Sequence, residues 1–306
     1  MLQGPIFALL TPFARDGSVD EGALRAYLGF LAERGVRTII ANGTTGEFAS
    51  LSAEERHAVL RVCREAFTGT IIANVSACAV GDVRALIASG ADLCDAFLLL
   101  PPFYYADAPE DGLLRFFEAC LHDAPRPALL YDFPRHTGNV LTPGLLARVV
   151  SAVGPAVGVK DSSGKLENAR AKKEAAPEAR VFLGADGLAL AALRGGLDGS
   201  ATGAGNAIPE FLVQLAASWS GGDARKAEAI QAEGALWGAV RRTLGVGEIT
   251  ITKAAVACRL PGFPTAVRAP LASPDAGLIE RVGGELRALL AGGGAIQWKE
   301  GPASCP

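Results

Sequence analysis

Histidine is scarce in this sequence and cysteine is scattered. The three histidines, His57, His122 and His136, show no H-x-x-x-H spacing, which speaks against a dedicated transition-metal site. The six cysteines, Cys63, Cys78, Cys94, Cys120, Cys258 and Cys305, lie far apart and include no C-x-x-C pair. They read as reduced core and surface thiols, not as a disulfide framework or a zinc ribbon. The opening residues Met1-Leu2-Gln3-Gly4-Pro5 carry neither a basic region nor an apolar one, so the expected compartment is the cytoplasm. The longest apolar stretches, such as Ala96 to Pro102, fall far short of the ~20 residues that span a bilayer, and no membrane is expected. Charge of one sign nowhere accumulates: the formal net charge is -3, with Arg and Lys scattered among acids. That distribution lacks the basic patch of a nucleic-acid footprint.

What the chain does have is apolar mass and rhythm. Half of its 306 residues are hydrophobic, enough for a large core, and α/β barrels commonly run to about 250 residues as one domain. Short apolar runs recur every 25 to 35 residues or so, about the length of one βα unit. They are Ile6–Leu10, Thr38–Ala41, Thr70–Val75, Ala96–Leu100, Ala128–Tyr131, Val157–Lys160, Val181–Leu183 and Gly199–Ala201. Each is too short for a helix and rich in Ile, Val, Leu or Phe, as a strand buried on both faces should be. Helical patterns with start signals lie between them. Ser52-Ala53-Glu54-Glu55 matches a capping box, and Thr142-Pro143 supplies a cap and a first-turn proline. Eight strands alternating with helices predict a (β/α)8 TIM barrel over residues 1–206. After residue 206 the alternation stops. Segments near 209–219, 223–242, 248–258 and 275–291 read as a C-terminal helical extension over 207–291, and residues 292–306 as a frayed, flexible tail.

In such a barrel, reactive groups sit at the C-terminal ends of strands and in the loops that follow. The second strand ends in Asn42-Gly43-Thr44-Thr45-Gly46-Glu47, the fourth in Pro101-Pro102-Phe103-Tyr104-Tyr105, the fifth in Tyr131-Asp132-Phe133-Pro134 and the sixth in Lys160-Asp161-Ser162-Ser163-Gly164. Lys160 follows Ala156-Val157-Gly158-Val159, so its stem leaves a barrel strand among apolar walls. An amine in such a place is favoured in its neutral form and can attack a carbonyl; alone, it reads equally well as a solvated lysine ending a strand. Gly43-Thr44-Thr45-Gly46 offers two hydroxyls and several backbone N–H groups for a carboxylate, or is an ordinary tight turn. It lacks the G-x-x-x-x-G-K-[ST] pattern of a nucleotide phosphate cradle. Tyr131 ends the strand next to Lys160, and a phenol there can shuttle a proton if a hydroxyl such as Thr44 holds it in line. Singly, each has a bland structural explanation; together, at neighbouring strand ends, they point to one site.

Gly43-Thr44-Thr45-Gly46-Glu47, Tyr131-Asp132-Phe133-Pro134 with Thr137-Gly138, and Gly158-Val159-Lys160-Asp161 resemble, in order, the three signatures of the dihydrodipicolinate synthase / N-acetylneuraminate lyase family. The likeness runs from about residue 4 to residue 290 and includes Pro101-Pro102-Phe103-Tyr104-Tyr105. The resemblance implies a class I, Schiff-base aldolase with Lys160 as the imine-forming lysine and Tyr131 as proton donor and acceptor. Thr44 would link Tyr131 to a second tyrosine from an adjacent subunit, which aligns with Tyr105. Thr44 and Thr45 would hold the substrate carboxylate, with Gly43 and backbone near Ala201, and His136, Gly184 and Asp186 complete the expected substrate-binding set. The family implies a homotetramer built as a dimer of dimers, a small-molecule substrate, no metal, and no cofactor beyond the lysine.

Departures from the family pattern bear on substrate. The dihydrodipicolinate synthases carry an arginine where this chain has His136, with Arg135 one residue earlier. Sialic acid lyases use an acidic residue and a serine where this chain has Gly187 and Gly203, and the usual asparagine after the tyrosine is Asp132. Phe133-Pro134, Thr137-Gly138 and Asp161-Ser162-Ser163-Gly164 are closer to the branch that cleaves 2-keto-3-deoxy sugar acids. The expectation is a lyase that reversibly cleaves such an acid to pyruvate and an aldehyde. The alternatives are a dihydrodipicolinate synthase condensing pyruvate with aspartate semialdehyde, a keto-deoxy sugar acid dehydratase, and an inactive 2-oxo acid binding protein.

Overall fold

A computed structural model describes residues 2–292 and 294–299. Its strands are β1 (Ile6–Ala8), β2 (Thr38–Ala41), β3 (Thr70–Asn74), β4 (Ala96–Leu99), β5 (Ala128–Asp132), β6 (Ala156–Asp161), β7 (Arg180–Leu183) and β8 (Ala201–Thr202). All eight pair in parallel, in the order β7-β6-β5-β4-β3-β2-β1-β8. A parallel bridge between Leu183 and Ser200 and the bond from Leu183 N–H to the Gly199 carbonyl (2.9 Å) bring β7 to β8 and close the ring. The expected (β/α)8 barrel is therefore the observed one.

Two apolar layers follow from the strand alternation. Ile6, Ala8, Ile40, Ile72, Leu98, Leu129, Tyr131 and Phe182 face inward and fill the barrel. Phe7, Ile39, Ile71, Phe97, Leu130 and Val181 face outward into the larger core beneath the helices. The start signals act as read. Ser52 Oγ accepts from Glu55 N–H (3.2 Å) while the Glu55 carboxylate accepts from Ser52 N–H (2.9 Å). Thr142 caps Pro143–Ala152 through Leu145 N–H.

Two features differ from the sequence expectation, and β6 carries an irregularity that the sequence does not announce. The helix Pro209–Ser220 follows β8 as the other outer helices follow their strands. It packs against Ala189–Arg194 and reaches the end of the first helix through the Glu210–Arg34 pair (3.2 Å). It completes the helical ring, so a boundary at 206 would separate the last strand from its own helix. The extension proper is Ala224–Thr243, Glu248–Arg259 and Ala276–Gly292.

Residues 294–299, expected to fray, are docked instead. The Glu233 carboxylate accepts from the N–H groups of Gly294, Ala295 and Ile296, Glu210 accepts from Lys299 N–H, and Ile296 is buried. Gly293 and residues 300–306 of that segment lie outside the described residues.

The irregularity in β6 is a bulge. Its pairing with β5 runs Ala128↔Ala156, then Leu129↔Gly158, so Val157 is an extra residue in the ladder. Strict alternation from the outward-facing Ala156 would turn Lys160 outward. The bulge inverts the phase, and Lys160 pairs with the inward-facing Tyr131.

Candidate active site

The inward phase of β5 and β6 brings Tyr131 and Lys160 side by side at the C-terminal end of the barrel. Lys160 Nζ lies 4.3 Å from the centroid of the Tyr131 ring, and both residues are buried. Among the described residues Lys160 makes no hydrogen bond or ion pair, so its amine is placed by its strand and by the aromatic face alone. An amine held against an apolar wall without a carboxylate partner is suited to nucleophilic attack.

Tyr131 is oriented from the opposite side. Its hydroxyl lies 3.4 Å from Thr44 Oγ1, a long contact at the end of β2. The loop carrying Thr44 is fixed at several points. Gly46 N–H donates to Gly43 O (3.0 Å), Glu47 N–H to Thr44 O (3.0 Å), and Thr11 Oγ1 to Gly46 O (2.7 Å). Glu47 sits in the left-handed region (φ 59) and forms a buried ion pair with Lys253 of the extension at 2.7 Å. These bonds leave the N–H groups of Thr44 and Thr45 without a protein acceptor among the described residues, as a carboxylate nest requires.

Thr45 packs against Gly203 just past β8: a Cβ on Gly203 would meet Thr45 Cγ2 at 2.7 Å. The loops after β2 and β8 thus meet, with Ala201 buried on the inner face of β8. The space that a serine would take at 203 is filled by Thr45. Gly184 lies against the end of β6, donating to Asp161 O (2.6 Å), and a Cβ there would fall 3.1 Å from Ser162 Cβ.

The aromatic ladder leads outward from Tyr131. Phe133 stacks on Tyr131 with centroids 5.7 Å apart, and His136 meets Phe133 edge-on at 4.2 Å. Partial burial, with the charge of neighbouring Arg135, holds the His136 imidazole below its ordinary pKa, which favours its neutral form. Both Arg135 and His136 are exposed at the rim.

Two candidates stand apart from this cluster. Asp186 is engaged by Arg241 of the extension, whose guanidinium lies 3.1 Å from its carboxylate. Tyr105 projects from the surface, 72% exposed, with Tyr104 against it at a centroid separation of 5.4 Å. It does not reach Thr44 of its own chain. Its loop is stapled by Asn139, whose Nδ2 donates to the carbonyls of Pro102 (2.7 Å) and Tyr105 (2.9 Å).

Sequence reasoning missed Lys172. It is 1% exposed on the helix Leu166–Ala175 and bridges Asp132 and Asp161, the residues that follow Tyr131 and Lys160. The available signal was helical spacing: Leu166, Ala169 and Lys172 follow one another at i+3 on the face that packs inward. Among the described residues no cluster of three or more His, Cys, Asp or Glu side chains could hold a metal ion. No described helix is long and apolar enough to cross a membrane.

The model of the dihydrodipicolinate synthetase family matches residues 1–273. An uncharacterized DapA-like lyase of Chloroflexus aurantiacus is 37% identical, covering 74% of this chain and 78% of its own length. The 4-hydroxy-tetrahydrodipicolinate synthase of Methylococcus capsulatus is 35% identical (75% and 80% covered). The 2-dehydro-3-deoxy-phosphogluconate/2-dehydro-3-deoxy-6-phosphogalactonate aldolase of Sulfurisphaera tokodaii is 29% identical (73% and 76%). Among solved structures, the E. coli K12 prophage protein YagE, of the dihydrodipicolinic acid synthase family and bound to pyruvate, superposes with a TM-score of 0.88. Its identity is 25%, over 94% of this chain and 99% of that one.

Proposed function

The chain belongs to the dihydrodipicolinate synthetase family of pyruvate-dependent class I lyases and aldolases, and we propose that it cleaves a 2-keto-3-deoxy sugar acid reversibly to pyruvate and an aldehyde, through a Schiff base on Lys160. The observation that carries the reading is the convergence of the Lys160 amine, the Tyr131 ring at 4.3 Å and the Thr44 hydroxyl 3.4 Å from that phenol.

The substrate carboxylate rests on the hydroxyls and N–H groups of Thr44 and Thr45. The Lys160 amine adds to the C2 carbonyl; the carbinolamine loses water as Tyr131 donates a proton to the departing hydroxyl, leaving an iminium. Tyr131, as phenolate, takes the proton of the C4 hydroxyl, the C3–C4 bond breaks, and its electron pair passes into the iminium as an enamine. The aldehyde leaves. Protonation at C3 and hydrolysis of the imine release pyruvate and restore the amine. The lysine supplies the electron sink, so the cycle calls for no further cofactor.

A neutral His136 offers single hydrogen bonds where an arginine would offer a charged fork, which suits a hydroxyl-bearing aldehyde better than a carboxylate-bearing one. The rival reading is a synthase condensing pyruvate with aspartate semialdehyde. It draws support from the 35% identical synthase and from the exposed Arg135 next to His136. Tyr105, exposed on a stapled loop, would complete Thr44 and Tyr131 of a partner subunit in a homotetramer.

The test is a pyruvate–borohydride trap followed by peptide mapping, then pyruvate release from several 2-keto-3-deoxy acids beside condensation with aspartate semialdehyde. A covalent adduct on Lys160 with release from a sugar acid is expected. An adduct on Lys165 or Lys253, or none, defeats the mechanism.

A further inference from the structure

We propose that the buried trio Asp132–Lys172–Asp161 is a positioning device for the Tyr131–Lys160 pair, acting from the outer face of the same two strands; the proposal rests on the reading of Lys160 as the imine-forming amine. The register places Tyr131 opposite Lys160 and Asp132 opposite Asp161. The reactive pair and the two acids therefore occupy consecutive rungs and point to opposite sides of one ladder.

Lys172 Nζ bonds Asp132 Oδ2 and, at 2.5 Å, Asp161 Oδ2. The remaining oxygens are also engaged: Asp132 Oδ1 accepts from Leu141 N–H (3.1 Å) and Asp161 Oδ1 from Ser163 N–H (2.8 Å). One ammonium thus ties β5, β6, the loop after each, and the helix Leu166–Ala175. Both aspartates are 0% exposed. Burial raises the Asp132 carboxyl above its ordinary pKa despite the ammonium beside it, so the arrangement is costly for the fold. Apolar side chains of similar volume would join sheet and helix at least as stably, which makes stability a poor account of the trio.

Geometry is the better account. Among the described residues Lys160 has no hydrogen-bonding or ionic side-chain tether, so the relative height and rotation of β5 and β6 set the amine against Tyr131. Reactive groups need placement to within about 0.5 Å, and that comes from the layer behind them.

The experiment compares Lys172→Met, Asp161→Asn and Lys173→Met with the wild-type assembled protein. Lys173 is the next residue on the same helix, but it bonds Asp198 (3.1 Å) and Ala179 O, away from the trio. Measured are the rate of irreversible trapping by pyruvate and borohydride, kcat and KM for pyruvate release, and thermal melting. We expect Lys172→Met to lower the trapping rate and kcat by about 10- to 100-fold with KM within about threefold, Asp161→Asn to do so less strongly, and Lys173→Met to leave both at wild-type values. Variants that melt earlier yet trap and turn over at wild-type rates would show the trio to be structural, as would failure of both trio variants to fold. Absence of a Lys160 adduct in the wild type would instead overturn the reading of Lys160 on which the proposal stands.

Discussion

Gly158→Ala tests whether the placement of Lys160 depends on the close approach of β6 and β7. Gly158 pairs with Arg180, and a Cβ built on it would lie 2.7 Å from both the backbone N and the backbone C of Arg180, and nearer still to its carbonyl oxygen. These are main-chain atoms of a neighbouring strand and cannot swing aside. Ordinary contact between such atoms needs about 3.5 Å, so the two strands must part by about 1 Å. That displacement weakens about two ladder hydrogen bonds at about 1 kcal/mol each. Forcing a methyl into a packed layer adds about 1–3 kcal/mol. The expected destabilisation is then about 3–5 kcal/mol, or a melting point lower by about 5–8 °C for a chain of this size. Because Lys160 stands two residues along the same strand, a shift of that size should also slow pyruvate trapping by about 10²-fold. The assay is thermal unfolding by circular dichroism beside the trapping rate, with Gly154→Ala as control. Nothing lies within 4 Å of a Cβ at Gly154, and that variant should stay within about 1 kcal/mol of wild type. If Gly158→Ala melts within about 2 °C of wild type and traps pyruvate normally, the close-approach argument is wrong.

Three further outcomes are expected. His136→Arg should raise kcat/KM for aspartate semialdehyde relative to glyceraldehyde, both with pyruvate; a wild type that already prefers aspartate semialdehyde by about tenfold (about 1.4 kcal/mol) would replace the sugar-acid reading with the synthase one. Tyr105→Phe should lower kcat without changing the melting point, since only an exposed hydroxyl is removed, and a fully active monomer would refute the role assigned to it. Hydrogen bonds from the Arg268 guanidinium hold Glu55 at about 2, against an ordinary 4.5. This carboxylate stabilises the fold fully above pH 4.5, and its contribution fades as the pH falls towards 2. Glu55→Gln keeps the cap and loses the charge, so urea unfolding should show it less stable by about 1–2 kcal/mol at pH 7, after discounting for solvent screening. The gap should close in acid; a gap independent of pH would exclude the ion pair as its source.

The barrel was legible because its signals are local. Ile, Val and Leu runs mark strands buried on both faces, and Ser52 and Thr142 mark helix starts that the fold uses as read. The site was legible for a related reason: Thr44, Tyr131 and Lys160 lie at strand ends, and closing the barrel brings those ends together. The phase of β6 could not be read, because an extra residue such as Val157 leaves no mark in composition and shows only in its pairing with β5. The engagement of Asp186 by Arg241, 55 residues away in sequence, and the docking of 294–299 by Glu233 and Glu210 depend on how distant helices settle. The eighth outer helix reads as part of the extension because the helices that follow it continue without a strand to punctuate them. Lys172 reads as a surface residue because a lysine on an outer helix ordinarily belongs to the solvent.

The extra residue in β6 also bears on which changes of length the gene can accept. Loops at the rim can gain or lose codons and change the mouth of the barrel by degrees. One residue inserted between Val157 and Lys160 has no such graded effect. With Ala156 and the bulge in place, it would turn Val159 and Asp161 into the barrel and rotate Lys160 out towards Lys172. The chamber would exchange its amine for a carboxylate, and two ammonium groups would meet beneath the helix. In β6 the chemistry is therefore written in the number of residues between the bulge and Lys160 as much as in residue identity, whereas Val157 itself could be lost without turning the amine.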